Sequence, residues 1–135
     1  MKNLRIFAAA LLLIALCLSM FSCKGEDKTA VVAFPKNSAD GYNWDVPEFD
    51  GEYFSLTSQR TYSEQAPGLP STTYHEWTFT PVKSGVSTIV FVQYDSKEDF
   101  EAKTDPFRKV IITYEISDTL GVTETDRTDL NYKQD

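Results

Sequence analysis

The chain has a single histidine, and both of its cysteines, Cys17 and Cys23, fall within the first 23 of its 135 residues. Beyond residue 23 there is no thiol, which removes disulfide bridges, cysteine-based zinc sites and cysteine nucleophiles together. His75 has neither a cysteine nor a convincing serine partner in the sequence, so it is a poor centre for catalysis or metal binding and is expected to be a surface strand residue. A Gly-rich phosphate loop, a Gly-x-Ser-x-Gly elbow and a basic patch interleaved with aromatics are also missing. The acidic run from Asp95 to Asp105 lacks the alternating Asp/Asn spacing and central glycine of a calcium loop, so solvated charge is its expected role. These absences argue against an enzyme and imply no cofactor and no metal.

One long apolar run is present, Ile6 to Leu18, preceded by Lys2 and Arg5 and followed by Ser19-Met20-Phe21-Ser22-Cys23. It is shorter than the roughly 18 to 20 residues that span a bilayer as a helix, and a small residue precedes the cysteine. This pattern resembles the signal of bacterial lipoprotein precursors, which implies removal of residues 1–22 and a lipid on Cys23. Cys17, with Leu16 before it, does not suit that cleavage and leaves with the signal. The remaining 113 residues suffice for one domain with a modest core and not for two. Removing Lys2 and Arg5 from thirteen basic residues leaves eleven against twenty acidic ones. The resulting net charge of −9 opposes binding to nucleic acid or to an anionic membrane surface. The expected membrane link is the lipid, and the expected location is the bacterial cell envelope, facing the periplasm or the outside.

Residues 23–30, with Lys24, Gly25, Glu26, Asp27 and Lys28, read as a solvated, lipidated tether. From Val31 onward, short β-branched and aromatic runs alternate with turn residues about every ten positions, the spacing of an all-β sandwich. Trp77 and Phe79 alternate with Glu76, Thr78 and Thr80 as a half-buried strand, and Lys83-Ser84-Gly85 forms a tight turn. Thr88 to Tyr94 is apolar on both faces and is predicted to be a central strand covered on both sides. Val110 to Ile116 is predicted to be its neighbour. Weaker strands are predicted at Val31 to Phe34, Tyr42 to Trp44 and Tyr53 to Thr57. Gln59 to Thr73 and Asp95 to Pro106 read as long connections, and residues 118–135 as a polar, partly disordered tail after a domain at 31–117.

Tyr42, Trp44, Tyr53, Tyr62, Tyr74 and Trp77 enrich the first half of the domain in rings that stack on sugars if exposed, although packing is their commoner role. Asp118-Thr119-Leu120 is similar to a short O-glycosylation signal of some bacterial exported proteins.

The segment Asn37-Ser38-Ala39-Asp40-Gly41-Tyr42-Asn43-Trp44 resembles the Asn-Pro-Thr-Thr-Gly-Tyr/Phe-x-Trp of chagasin-like cysteine peptidase inhibitors, with Asn37, Gly41, Tyr42 and Trp44 matching. The order of elements is similar from roughly Phe34 to Ile116. The resemblance implies an immunoglobulin-like β-sandwich whose loops at one end wedge into the cleft of papain-like peptidases and occlude it without reaction. The implied peptidase-binding loops contain Asn37, Ser38, Ala39, Asp40, Gly41 and Tyr42, then Pro67, Gly68 and Leu69, then Asp95, Ser96 and Lys97. Ser38-Ala39-Asp40 stands where the family has Pro-Thr-Thr. Gly68 is the sole glycine of the second loop, and Asp95-Ser96-Lys97 replaces Arg-Pro-Trp after the tyrosine. A different class stays open beside the inhibitor: an immunoglobulin-like surface lipoprotein that binds a glycan or an envelope protein through exposed aromatics.

Overall fold

The computed structural model describes residues 26–36 and 44–132. The signal at 1–22, Cys23, the segment from Asn37 to Tyr42 and most of the strand predicted at Tyr42 to Trp44 lie outside the described residues. Among the described residues, six strands and a short helix follow in the order β1 (Ala30–Lys36), β2 (Phe54–Glu64), β3 (Thr72–Pro81), β4 (Gly85–Gln93), α1 (Lys97–Ala102), β5 (Arg108–Ile116) and β6 (Val122–Asn131). They form two antiparallel three-stranded sheets, β1-β3-β2 and β4-β5-β6. The expected all-β, immunoglobulin-like sandwich is therefore the fold.

Period-two alternation builds the core. Trp77, Phe79 and Pro81 on β3 face inward, as do Ile89 and Phe91 on β4 and Val110, Ile112, Tyr114 and Ile116 on β5. Val32, Phe34 and Phe54 join them, and the rings meet edge to face, with Phe54 5.8 Å from Tyr114 and Phe79 6.2 Å from Phe91. Burial pushes the Tyr114 hydroxyl up to about 12. Each fully buried Phe, Ile or Val contributes about 1.5–3 kcal/mol, against about 0.2–1 kcal/mol for an exposed ion pair, so packing holds this fold together.

Gly85 closes the turn after Lys83-Ser84 at φ +141°, and a Cβ there would lie 2.7 Å from Cε1 of Tyr53. Only glycine fits without displacing that ring.

Several expectations are corrected. The centre of the second sheet is β5, because β4 pairs with β5 on one side and meets only the segment 44–48 on the other. Asp45 N donates to Val92 O, and Glu48 and Val90 exchange both backbone bonds, each at 2.9 Å. Nor is β4 covered on both faces, since Val86 and Thr88 are exposed on the outer one. Its double-sided apolarity reported composition, whereas edge pairing is invisible to periodicity.

The span Gln59 to Thr73 is mostly strand. β2 and β3 pair from Phe54↔Pro81 to Glu64↔Thr72, leaving only residues 65–71 as a connection. The far half of this hairpin is held by surface pairs, Tyr62 stacked on Tyr74 at 5.4 Å and Arg60 on Glu76 at 2.6 Å, so it carries little apolar alternation. The span Asp95 to Pro106 contains α1. The final segment is not a loose tail, because Val122–Asn131 pairs along the whole of β5 with a bulge opposite Thr113/Tyr114. Only Val122 of β6 is buried. The rest relies on its backbone ladder and on paired charges, Arg108 with Asp129 and Arg127 with Glu124, an arrangement that also blunts an exposed edge. Residues 26–30 are likewise tied to the body, where Val122 N donates to Asp27 O at 2.7 Å.

Candidate functional site

Strand pairing brings three connections to one end of the sandwich. Lys36, the last residue of β1, lies opposite Thr73 near the start of β3, and Glu64 lies opposite Thr72. The connection at 37–43 and that at 65–71 therefore leave adjacent strand ends. Trp44 pairs with Gln93 at the end of β4, and Phe107 N donates to Gln93 O at 2.8 Å, so the connection 94–107 leaves the same end.

Below these connections the core is roofed by aromatics. Phe34 and Trp44 stack at 4.3 Å, His75 and Trp77 at 4.1 Å, and the two stacks meet edge to face. Trp44 Nε1 donates to Pro35 O at 3.2 Å, tying the far side of the first connection back to its near side. The Arg108 guanidinium lies 5.5 Å from the Phe34 ring and 5.6 Å from that of Trp44, while its Nε donates to Asp129 Oδ1 at 2.8 Å. Packing of the rings against this partly exposed guanidinium stiffens the platform. Asp129 holds the Arg108 pKa above its ordinary value, chiefly by hydrogen bonding. His75 is a strand residue, as expected, but only partly at the surface. It shares the inward face of β3 with Trp77, is half-buried, and has its pKa lowered first by burial and then by the charge of Lys36. The indole Nε1 of Trp77 is buried without a hydrogen-bond partner.

The second connection is a built turn. Leu69 N donates to Ala66 O at 3.0 Å, with Pro67 second and Gly68 third at φ +77°, the arrangement of a type II turn. Pro67 presets the backbone, Gly68 takes the positive φ that other residues resist, and Leu69 stands 60% exposed at the tip.

The third connection is stiffer than its acidic composition suggests. Ser96 caps α1, accepting from Asp99 N at 3.1 Å while its hydroxyl donates to the Asp99 carboxylate at 2.8 Å. Glu98 and Asp99 sit in the first turn, where the helix dipole favours negative charge. Lys103 ends the helix in the left-handed region at φ 55°. Its ammonium lies 3.9 Å from the Phe100 ring and 2.8 Å from Asp45 Oδ2, and its backbone N–H donates to Asp99 O, so three interactions fix one costly backbone conformation. The Lys103–Asp45 pair joins the third connection to the segment that follows the first.

Of the predicted loop residues, Pro67, Gly68, Leu69, Asp95 and Lys97 are exposed at this end and Ser96 is half-buried as the helix cap. Asn37, Ser38, Ala39, Asp40, Gly41 and Tyr42 lie outside the described residues, between two flanks that both belong to it. Sequence reasoning missed Asp45, Lys103 and Arg108. The Ser96-x-x-Asp99 spacing, a capping signature, was the available signal for α1. The aromatics proposed for sugar stacking are largely consumed by the fold: Trp44 and Trp77 are buried, and Tyr62 and Tyr74 stack on each other.

The fold and this end define a class, a two-sheet immunoglobulin-like domain from one end of which three connections leave neighbouring strand ends. The chain matches the chagasin family of peptidase inhibitors over residues 25–112, more than half its length, and belongs to that family. No curated protein matches the chain, and no solved structure does.

Proposed function

We propose that the protein inhibits papain-like cysteine peptidases by seating residues 37–42, 66–71 and 95–99 in the active-site cleft, and that it does so from a lipid on Cys23 in the bacterial cell envelope. Family membership supports the inhibitor role, and the observation that carries the mechanism is the convergence of the three connections on one aromatic-roofed end. Inhibition of this kind needs no reacting group. It needs backbone already held in its bound shape, because every loop that must be ordered on docking weakens binding. The type II turn at Ala66 to Leu69, the capped helix α1 and the Lys103–Asp45 pair supply that rigidity for two of the three connections.

Nanomolar inhibition of papain by the chain from residue 24 onward is the expected result, and its absence across a panel of papain-like peptidases at micromolar protein removes the proposal. Gly41→Val is expected to lower potency without unfolding the domain. Mass measurement of the protein exported by a bacterial host tests the lipid on Cys23 separately.

A further inference from the structure

The end of the sandwich opposite the three connections holds a second built feature. β5 rises from Arg108 at the loop end to Ile116 at the other, nine residues or about 27 Å, and then turns through Asp118 and Thr119 into β6. Against this turn lies the N-terminal segment. The Glu26 carboxylate accepts from Thr119 Oγ1 at 2.6 Å and from Ser117 Oγ at 3.1 Å. Lys28 Nζ donates to Thr119 O at 3.1 Å, and Asp27 O takes the backbone N–H of Val122.

The turn is shaped to receive that carboxylate. Leu120 adopts φ 61°, a left-handed conformation unusual for leucine, and Gly121 N donates to Ser117 Oγ at 3.0 Å. A Cβ on Gly121 would overlap both the Glu26 carboxylate and its Cβ, so this glycine leaves the space that Glu26 fills. Polar clasp and missing side chain agree, and they involve a segment that solvation alone would leave free.

We infer that the Glu26 clasp fixes the orientation of the lipid-anchored protein, holding the β5–β6 turn against the bilayer and presenting the three inhibitory connections away from it. The inference rests on the lipid anchor at Cys23 proposed above. Three residue steps separate Cys23 from Glu26, a reach of at most about 10 Å, so a clasped domain stays close to the lipid surface with its far end down. Opened, the tether runs to β1 at Ala30 and its reach more than doubles, to about 25 Å, enough for the domain to tip.

The test uses the full chain as exported and lipidated by a bacterial host, reconstituted in phosphatidylcholine vesicles. Asp118→Cys and Leu69→Cys each provide a single thiol for a fluorophore, and lipids with spin-labelled headgroups act as quencher. Quenching at position 118 is expected to exceed that at 69 several-fold. Glu26→Ala, with Gly121→Ala as a second route to the open clasp, is expected to bring the ratio towards one. Equal or stronger quenching at 69 in a chain whose mass shows the lipid on Cys23 overturns the orientation, and an unchanged ratio in a folded Glu26→Ala protein overturns the clasp as its cause. A mass showing Cys23 unmodified overturns the anchor itself, a distinct result that leaves peptidase inhibition standing.

Discussion

The two ends of this sandwich are rigid for different reasons. The loop end is held by stacked rings, a guanidinium above them and a lysine fixed between Phe100 and Asp45. The opposite end is held by hydroxyls around a carboxylate and by two glycines, Gly85 and Gly121, whose missing side chains let neighbours close in. Rings supply a broad, desolvated platform from which connections project. Hydroxyls and glycines make a tight, wet fit that suits a point of attachment. The difference teaches that rigidity in a small domain without disulfides comes from local chemistry suited to each end's task.

The largest expected effect comes from removing the platform. Trp77→Ala, at a fully buried position beneath His75, is expected to cost about 3–5 kcal/mol in urea unfolding. Trp77→Phe is expected to cost less, since it keeps an aromatic ring, though a smaller one, and removes a donor that has no partner. If both variants cost the same, the rings are not what stiffens the loop end.

At the other end, Gly85→Ala combines positive φ with an overlap on Tyr53, and a loss of about 1–3 kcal/mol is expected. Inhibition of papain by the folded fraction is expected to be unchanged, because Gly85 lies away from the three connections. A fall in potency at constant folded concentration would mean that the two ends are coupled.

Lys103→Ala reverses that pattern. The pair with Asp45 is partly exposed, so stability is expected to fall by only about 0.2–1 kcal/mol by thermal unfolding, while potency falls several-fold as the third connection loosens. Asp45→Asn in the same background should add nothing further if the pair acts as one unit.

The smallest effect is that of pH on His75. Its pKa is lowered in the fold by burial and by Lys36, so the unfolded chain takes up the proton first as pH falls. Stability is therefore whole above the ordinary histidine value of 6.5 and declines as pH drops through it towards the lower folded value, where the full loss is reached. Glu26, Glu76, Glu124 and Asp129, all held below the usual carboxylate range by hydrogen bonds, add further losses in the same direction at lower pH. His75→Gln is expected to remove only the upper step of the pH-dependent unfolding curve. A curve that keeps that step would relocate its origin.

Legibility along the chain followed burial. The inward halves of β3 and β5 announced themselves because Trp77, Phe79, Val110 and Ile112 must be kept from water, and the turn at Lys83-Ser84-Gly85 needs a glycine. β6 and the outer half of β2 escaped notice because they are held by backbone groups and surface side chains of the neighbouring hairpin strand, which leave no apolar alternation to read. α1 is six residues long with Phe100 as its one large apolar side chain, so its capping serine was the sole usable sign. Of the candidate site, the exposed turn at Pro67 to Leu69 was readable from Pro-Gly chemistry, whereas the supports at Asp45, Lys103 and Arg108 were not, since each meets its partners across distant segments.

By itself the order of residues determined the all-β class, the period of the buried strands and the family resemblance, because these depend on local alternation and on short runs of residue types. Which strand lies at the centre, which end gathers three connections, and that the N-terminal segment docks at the other were decided only by tertiary structure. The physical reason is that pairing, stacking and the Glu26 clasp join groups remote in the chain, and their free energy exists only once the two sheets have closed on their core.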